Sequence, residues 1–118
     1  MKLTDELAIK IAKKYNFIYD EDFNDVIVPN DIRIDDEDFT FMRINTTGED
    51  RYDCAYEFGI TAQKSGKFGY HTTSFQAITT TEEFEENIKN FLSFIELTKP
   101  LEKKYVEQVK LNKIGGDF

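Results

Sequence analysis

Cys54 and His71 are the side chains whose types most invite nucleophilic chemistry, a thiol to attack and an imidazole to take its proton. Both fall in Tyr52 to Ile78, a stretch that alternates with the period of two of a β-strand and reads as a hairpin turning at Ser65-Gly66. In that register His71 stands opposite Ile60 and Cys54 opposite Ala77. The two are then six strand positions apart, about 20 Å at ~3.3 Å per residue. A proton does not pass directly over that distance, so Cys54 reads as a small core residue. The lone His71 has no second His or Cys beside it to share a zinc ion. Gly59, Gly66 and Gly69 lie in or beside the hairpin, with no helix N-terminus following to complete a phosphate cradle. The expectation is a protein that is not an enzyme and needs no cofactor.

Hard oxygen ligands are gathered elsewhere. Asp20-Glu21-Asp22-Phe23-Asn24-Asp25-Val26-Ile27-Val28-Pro29-Asn30-Asp31 resembles the calcium loop of an EF-hand at several positions. Asp20, Asp22 and Asn24 take the first, third and fifth loop positions, and Asp31 stands where a bidentate glutamate is usual. Asp25 replaces the glycine of the sharp turn, Pro29 sits inside the loop, and no exit helix follows. An acidic surface loop is the simpler reading of the same residues, with calcium binding as the alternative.

These groups must be positioned by flanking elements. Thr4-Asp5-Glu6-Leu7 opens a helix with Thr4 as N-cap, acids in the first turn and Lys13-Lys14 near its end, and Asn16 stops it. Val26-Ile27-Val28 and Ile32-Arg33-Ile34 suit short edge strands about a Pro29-Asn30-Asp31 turn, with Phe23 tucked onto the domain beside them. Phe39 to Ile44 is the next strand. A tight turn at Thr47-Gly48 sets Phe41 opposite Cys54 and Phe39 opposite Tyr56. In the second hairpin Tyr56 faces Phe75. Its apolar side is Cys54, Tyr56, Phe58, Ile60 and Phe75, and its polar side is Glu57, Thr61, Tyr70, Thr72, Ser74 and Gln76.

Thr80 and Glu83 have capping-box spacing, and Phe84, Ile88, Phe91, Leu92 and Ile95 follow as an amphipathic stripe that packs under that apolar side. Thr98-Lys99-Pro100 predicts a break and a second helix, with Leu101, Tyr105, Val106 and Val109 inward and Gly115-Gly116 as its stop. The order α-βββ-αα is that of an α+β fold, an antiparallel meander of three, four or five strands packed on helices, in a single domain over residues 1–118.

Charge points to function more than any motif does. The net charge is −8, and Asp20 through Phe58 alone holds thirteen acids against Arg33, Arg43 and Arg51. The chain before Asp20 carries +2, as does the chain from Thr98 onward. Such negativity repels phosphates and argues against direct nucleic-acid binding. No apolar run reaches the ~20 residues of a membrane span. One cysteine and no apolar leader suit a cytoplasmic setting, in the host cell if the protein is phage-encoded.

Small size, acidity and the α-βββ-αα order make the chain similar to anti-CRISPR proteins and other small accessory proteins of bacteriophages and mobile elements. The run Asp20–Asp38 and Glu82-Glu83-Phe84-Glu85-Glu86 resemble the acidic surfaces by which such inhibitors imitate nucleic acid. The resemblance implies a non-enzymatic protein that binds and blocks a host protein with a basic surface, such as a nucleic-acid-processing defence enzyme. Asp20, Glu21, Asp22, Asp35, Asp36, Glu37, Asp38, Glu49 and Asp50 are the expected contacts. A second expectation, from another class, is an assembly subunit that self-associates through an uncovered sheet edge or helix face, so that monomer and homodimer both stay open.

Overall fold

In the computed structural model, residues 1–29, 40–44, 51–62 and 68–115 are described. The order is α1 (Asp5–Lys14), β1 (Ile18–Asp20), β2 (Asp25–Ile27), β3 (Thr40–Ile44), β4 (Tyr52–Ala62), β5 (Phe68–Ile78) and α2 (Thr81–Gly115). The strands form one antiparallel sheet in the order β1-β2-β3-β4-β5, a meander with both long helices outside it. The α+β class is as expected. The sheet has five strands because Ile18–Asp20 pairs with Asp25–Ile27, a hairpin not foreseen. The turn at Thr47-Gly48, the Ser65-Gly66 turn and Ile32–Ile34 lie outside the described residues.

α1 begins as its sequence dictates. Thr4 Oγ1 accepts from the Leu7 amide at 3.3 Å, and Ala8, Ile11 and Ala12 face the core. Asn16, at φ 64, takes the left-handed conformation that ends the helix, and the Phe17 amide returns to the Ala12 carbonyl at 2.8 Å. At the other end of the sheet, Glu83 Oε1 accepts from the Thr80 amide at 3.2 Å while Thr80 Oγ1 accepts from the Glu83 amide at 3.2 Å. The capping box is therefore closed in both directions.

α2 lays Phe84, Ile88, Phe91 and Ile95 on the sheet, and the first three are fully buried. Phe91 lies among Phe17, Phe41, Phe58 and Tyr70, at ring-centroid distances of 6.4, 5.6, 4.8 and 6.4 Å. Four such buried side chains contribute ~1.5–3 kcal/mol each, which makes this stripe a principal source of stability.

Both β registers are offset by one residue from expectation. Met42, not Phe41, stands opposite Cys54, and Gln76, not Ala77, stands on its other side. The β4–β5 offset is already present at Ala62–Phe68 and is the same at Cys54–Gln76, on both sides of the bulges. On β3, Phe41 is an extra residue between the Val26–Met42 and Ile27–Thr40 pairs, so Phe41 and Met42 are both buried. On β4 and β5, Tyr56 and then Thr73 are each left without an opposite number, and the two bulges cancel in register. Tyr56, at the bulge, and Phe75, opposite Ala55 rather than Tyr56, are exposed, at 39 and 40 %. Phase also decides Tyr70: it is buried against Phe91 and Phe94 rather than facing water.

The expected break at Pro100 does not occur. α2 runs for 35 residues, about 50 Å at ~1.5 Å per residue, with Pro100 inside it. Thr98 is buried beside the proline and anchors the helix there. Its Oγ1 lies 2.8 Å from the Phe94 carbonyl and 3.0 Å from Tyr70 Oη, so Thr98 donates to the backbone and accepts from the tyrosine. From Lys99 to Leu111 no side chain is fully buried, and Leu101, expected inward, is 52 % exposed. The radius of gyration of 16.7 Å exceeds the ~13.5 Å of a compact chain of this length, in keeping with an arm.

Candidate functional site

Cys54 and His71 do not form a dyad. Cys54 is fully buried on β4, and burial pushes its thiol up to about 12 against a smaller opposing hydrogen bond from Asn87. At neutral pH it carries no thiolate. His71 stands opposite Gly59 rather than Ile60, five strand positions from Cys54, about 17 Å at ~3.3 Å per residue. The imidazole also explains the glycine: a Cβ at Gly59 would lie 2.6 Å from His71 Nε2.

The stretch from Asp20 folds as a β-hairpin turn between β1 and β2, where the calcium-loop resemblance would set a loop leading into a helix. Asp20 is paired with Asp25 at the turn's base. Asp20 Oδ1 accepts from the Asp22 amide at 2.9 Å and from the Phe23 amide at 3.4 Å. Its carboxylate thus replaces a backbone partner in the turn. Asn24 closes the turn at φ 54, in the left-handed region that asparagine tolerates. Its Oδ1 accepts from Tyr19 Oη at 2.6 Å, and its Nδ2 donates to the Ile44 carbonyl at 3.1 Å. Asp20 and Asn24 therefore spend side-chain oxygens on the turn itself. Among the described residues no group of three or more His, Cys, Asp and Glu side chains is placed to hold a metal ion. Asp31 lies outside them.

What the turn presents is negative and apolar together. Glu21 and Asp22 are exposed, and Phe23, expected to tuck onto the domain, is 76 % exposed. Two ionisable groups register the local field. Tyr19 is raised above its ordinary 10.0 by burial first, then by Glu21, Asp5 and Asp20. Asp25 is raised above 3.8 by burial, with Arg43 opposing and Asp20 adding to the shift. Asp5, Asp20 and Glu21 thus act on one tyrosine, although Asp5 comes from the start of α1. Asp5 is held in place by Tyr52, whose hydroxyl donates to Asp5 Oδ1 at 2.6 Å.

Of the expected contacts, the structure places Asp20, Glu21 and Asp22 on this turn. Asp35, Asp36, Glu37, Asp38, Glu49 and Asp50 lie outside the described residues. Sequence reasoning missed Asp5 as a neighbour of the turn, Tyr19 as its brace and Phe23 as its tip. The available signal was the pair of short β-prone segments, Ile18-Tyr19 and Val26-Ile27, flanking an Asp-x-x-x-Asn turn.

An open cleft of about 420 Å³ lies between α1 and the start of α2, lined by Leu7, Lys10, Ile11, Lys14 and Glu85 among others. Lys14 Nζ and Tyr15 Oη both reach Glu85, at 3.4 Å each, and span the two helices. No described helix is long and apolar enough to cross a membrane. Compared with protein-family models, with curated proteins and with solved structures, the chain finds no match.

Proposed function

We propose that this chain is a non-enzymatic binding protein, an accessory protein of a phage or mobile element, which blocks a host protein by docking the β1–β2 turn onto a basic surface. The observation that carries the reading is Phe23. It is an aromatic side chain 76 % exposed at the tip of a turn whose neighbours are Asp20, Glu21 and Asp22. An exposed aromatic costs free energy in water and supplies the anchor residues from which binding energy is drawn. Ringed by carboxylates, it suits a partner that offers an apolar socket with Lys or Arg around it, as a nucleic-acid groove does. Carboxylates steer the approach, and the phenyl ring slows departure.

The turn is preorganised for that role. Asp20 bonds two of its amides, Asn24 ties it to β3, and Tyr19 locks Asn24, so little ordering entropy remains to be lost on binding. The test is capture of host proteins by the tagged chain, followed by titration of the captured partner. Phe23→Ala should weaken binding at least tenfold with little effect on the association rate constant. Neutralising Asp20, Glu21 and Asp22 together should lower the association rate constant and flatten the salt dependence. If neither change affects the captured partner, the turn is not the docking site.

A further inference from the structure

Two exposed surfaces of opposite sign lie at opposite ends of the molecule. One is the β1–β2 turn, with Phe23 at its tip and Glu21 and Asp22 exposed beside it. The other is the part of α2 beyond the sheet. Leu97, Leu101 and Leu111 there are 78, 52 and 68 % exposed. With the exposed Lys104 and Gln108 between them, they follow at steps of four, three, four and three residues, which keeps all five on one side of the helix. From Lys99 to Leu111 four lysines stand against Glu102 and Glu107, on a chain whose net charge is −8. Lys99 pairs with Glu96 at 2.9 Å. Lys103, Lys104 and Lys110 are exposed and have no carboxylate partner among the described residues.

One chain cannot bring these two surfaces together on itself. Asp20 pairs with Asp25, Asp25 with Arg43 and Arg43 with Asp53, so the turn leaves the sheet at the Tyr52 end of β4. α2 starts beside that same end, because Ile78, three residues before it, pairs with Tyr52. By Thr98 it has reached Tyr70, whose partner Ile60 is roughly 20 Å along β4 from Asp53 at ~3.3 Å per residue. Leu111 is ~20 Å of helix further on. The molecule is 60 Å long, with the turn toward one end and the arm at the other.

We propose that the α2 arm of one copy is a docking surface for the β1–β2 turn of a second, the contact occurring twice about a two-fold axis in a head-to-arm dimer. Charge complementarity selects the occupant. The turn suits an apolar socket bordered by lysine, and the arm offers one, with Leu97 and Leu101 one helical turn apart and Lys104 a turn beyond. Phe23 seats against the leucines, Glu21 and Asp22 meet Lys104, and Lys103 and Lys110 raise the positive potential of the arm. The net charge of −8 on each chain does not prevent this. At physiological salt, charges further apart than ~8 Å are largely screened, so the opposite charges in contact outweigh the like charges of the two bodies. Two elongated chains lying antiparallel close both contacts at once and leave neither surface open. The inference rests on the turn being a docking element and adds a regulation to it: a host protein must displace the arm, so self-association and partner binding exclude one another.

The full chain alone carries the test, by sedimentation equilibrium at sub-millimolar concentration. It should return twice 13.8 kDa, with the dissociation constant rising about tenfold from low to high salt. Glu21→Lys with Asp22→Lys reverses the turn and moves the net charge from −8 to −4, since two acids become two lysines. General repulsion between the bodies predicts a tighter dimer from that change, whereas arm docking predicts a monomer. Lys103→Glu, Lys104→Glu and Lys110→Glu together reverse the arm and should also give a monomer. Mixed in equal amounts, the two variants should return to twice 13.8 kDa, because a basic turn then meets an acidic arm and an acidic turn a basic arm. Recovery of the dimer in the mixture shows that both variants fold. The arm variant keeps the turn unaltered, so its affinity for a captured host protein reports the host-docking reading separately from the dimer. A mass of 13.8 kDa for the unmodified chain throughout, a turn variant that still dimerises, or a mixture that stays monomeric would each overturn the proposal.

Discussion

Replacing Phe91 by alanine probes the contact on which the whole arrangement depends. The ring is fully buried, and its aromatic neighbours are Phe17 ahead of β1, Phe41 on β3, Phe58 on β4 and Tyr70 on β5. Truncating a buried Phe to Ala costs about 3–5 kcal/mol, the transfer free energy of the lost atoms plus the residual cavity. Edge and tilted ring contacts add ~0.5–1.5 kcal/mol per pair, so the upper half of that range is expected. A domain of this length holds roughly 6–18 kcal/mol in total, at 0.05–0.15 kcal/mol per residue. The variant should therefore fold but with its urea midpoint lowered by ~2 M, taking a denaturant slope of about 2 kcal/mol/M. Urea unfolding followed by far-ultraviolet circular dichroism measures it. Leu97→Ala, on the same helix but 78 % exposed, is the matched control and should stay within ~0.5 kcal/mol. A loss below ~1 kcal/mol for Phe91→Ala would mean that the site collapses around the cavity or that α2 does not pack on the sheet as described.

Two smaller perturbations address the ends of α2. Pro100→Ala restores an amide to bond the Glu96 carbonyl, and an interior proline costs about 3 kcal/mol. Amides of residues 101–110 should exchange up to a hundredfold more slowly, and unchanged exchange would show that the helix breaks at Thr98–Pro100 after all. At the start, Thr80→Ala should cost ~1 kcal/mol. Glu83 is held below its ordinary 4.5, chiefly by the Thr80 hydroxyl and then by the Thr79 amide. A lowered carboxylate stabilises the fold above its unfolded pKa and loses that contribution as pH falls through the folded value. The stability difference between the chain and Glu83→Gln should accordingly be present at pH 7 and close below pH 4.5. A difference that persists into acid would locate the effect elsewhere.

Helices were the legible part of this sequence, because their signals are local. Thr4, Asn16 and the Thr80–Glu83 pair each act within one turn, and each cap forms as read. Strand positions were legible but their register was not. Alternation over Tyr52–Ala62 carries the period of two, but it does not say which residue of β5 stands opposite, and a one-residue shift turns every β5 side chain to the other face. The pairing runs one residue off the simple register from Ala62–Phe68 to Cys54–Gln76, so Phe75 lies outward over Arg43 and Tyr70 inward against Thr98. Pro100 failed as a stop because the breaking rule concerns one missing bond, and Thr98 with Tyr70 secures the helix beside it. At the turn, Asp20 and Asn24 carry oxygens that suit either a cation or a backbone amide. The short strands on both sides decide in favour of the amides, and only the fold reveals them.

If the β1–β2 turn is a docking element, with Phe23 as anchor and Asp20, Glu21 and Asp22 as its charge, the affinity of a captured host partner reports it. That affinity is measured for the chain and for Phe23→Ala across a range of salt. Both should weaken steeply with salt, with a loss of tenfold or more for Phe23→Ala at every salt concentration. Equal affinity of the two proteins, or binding that does not respond to salt, would contradict the docking role.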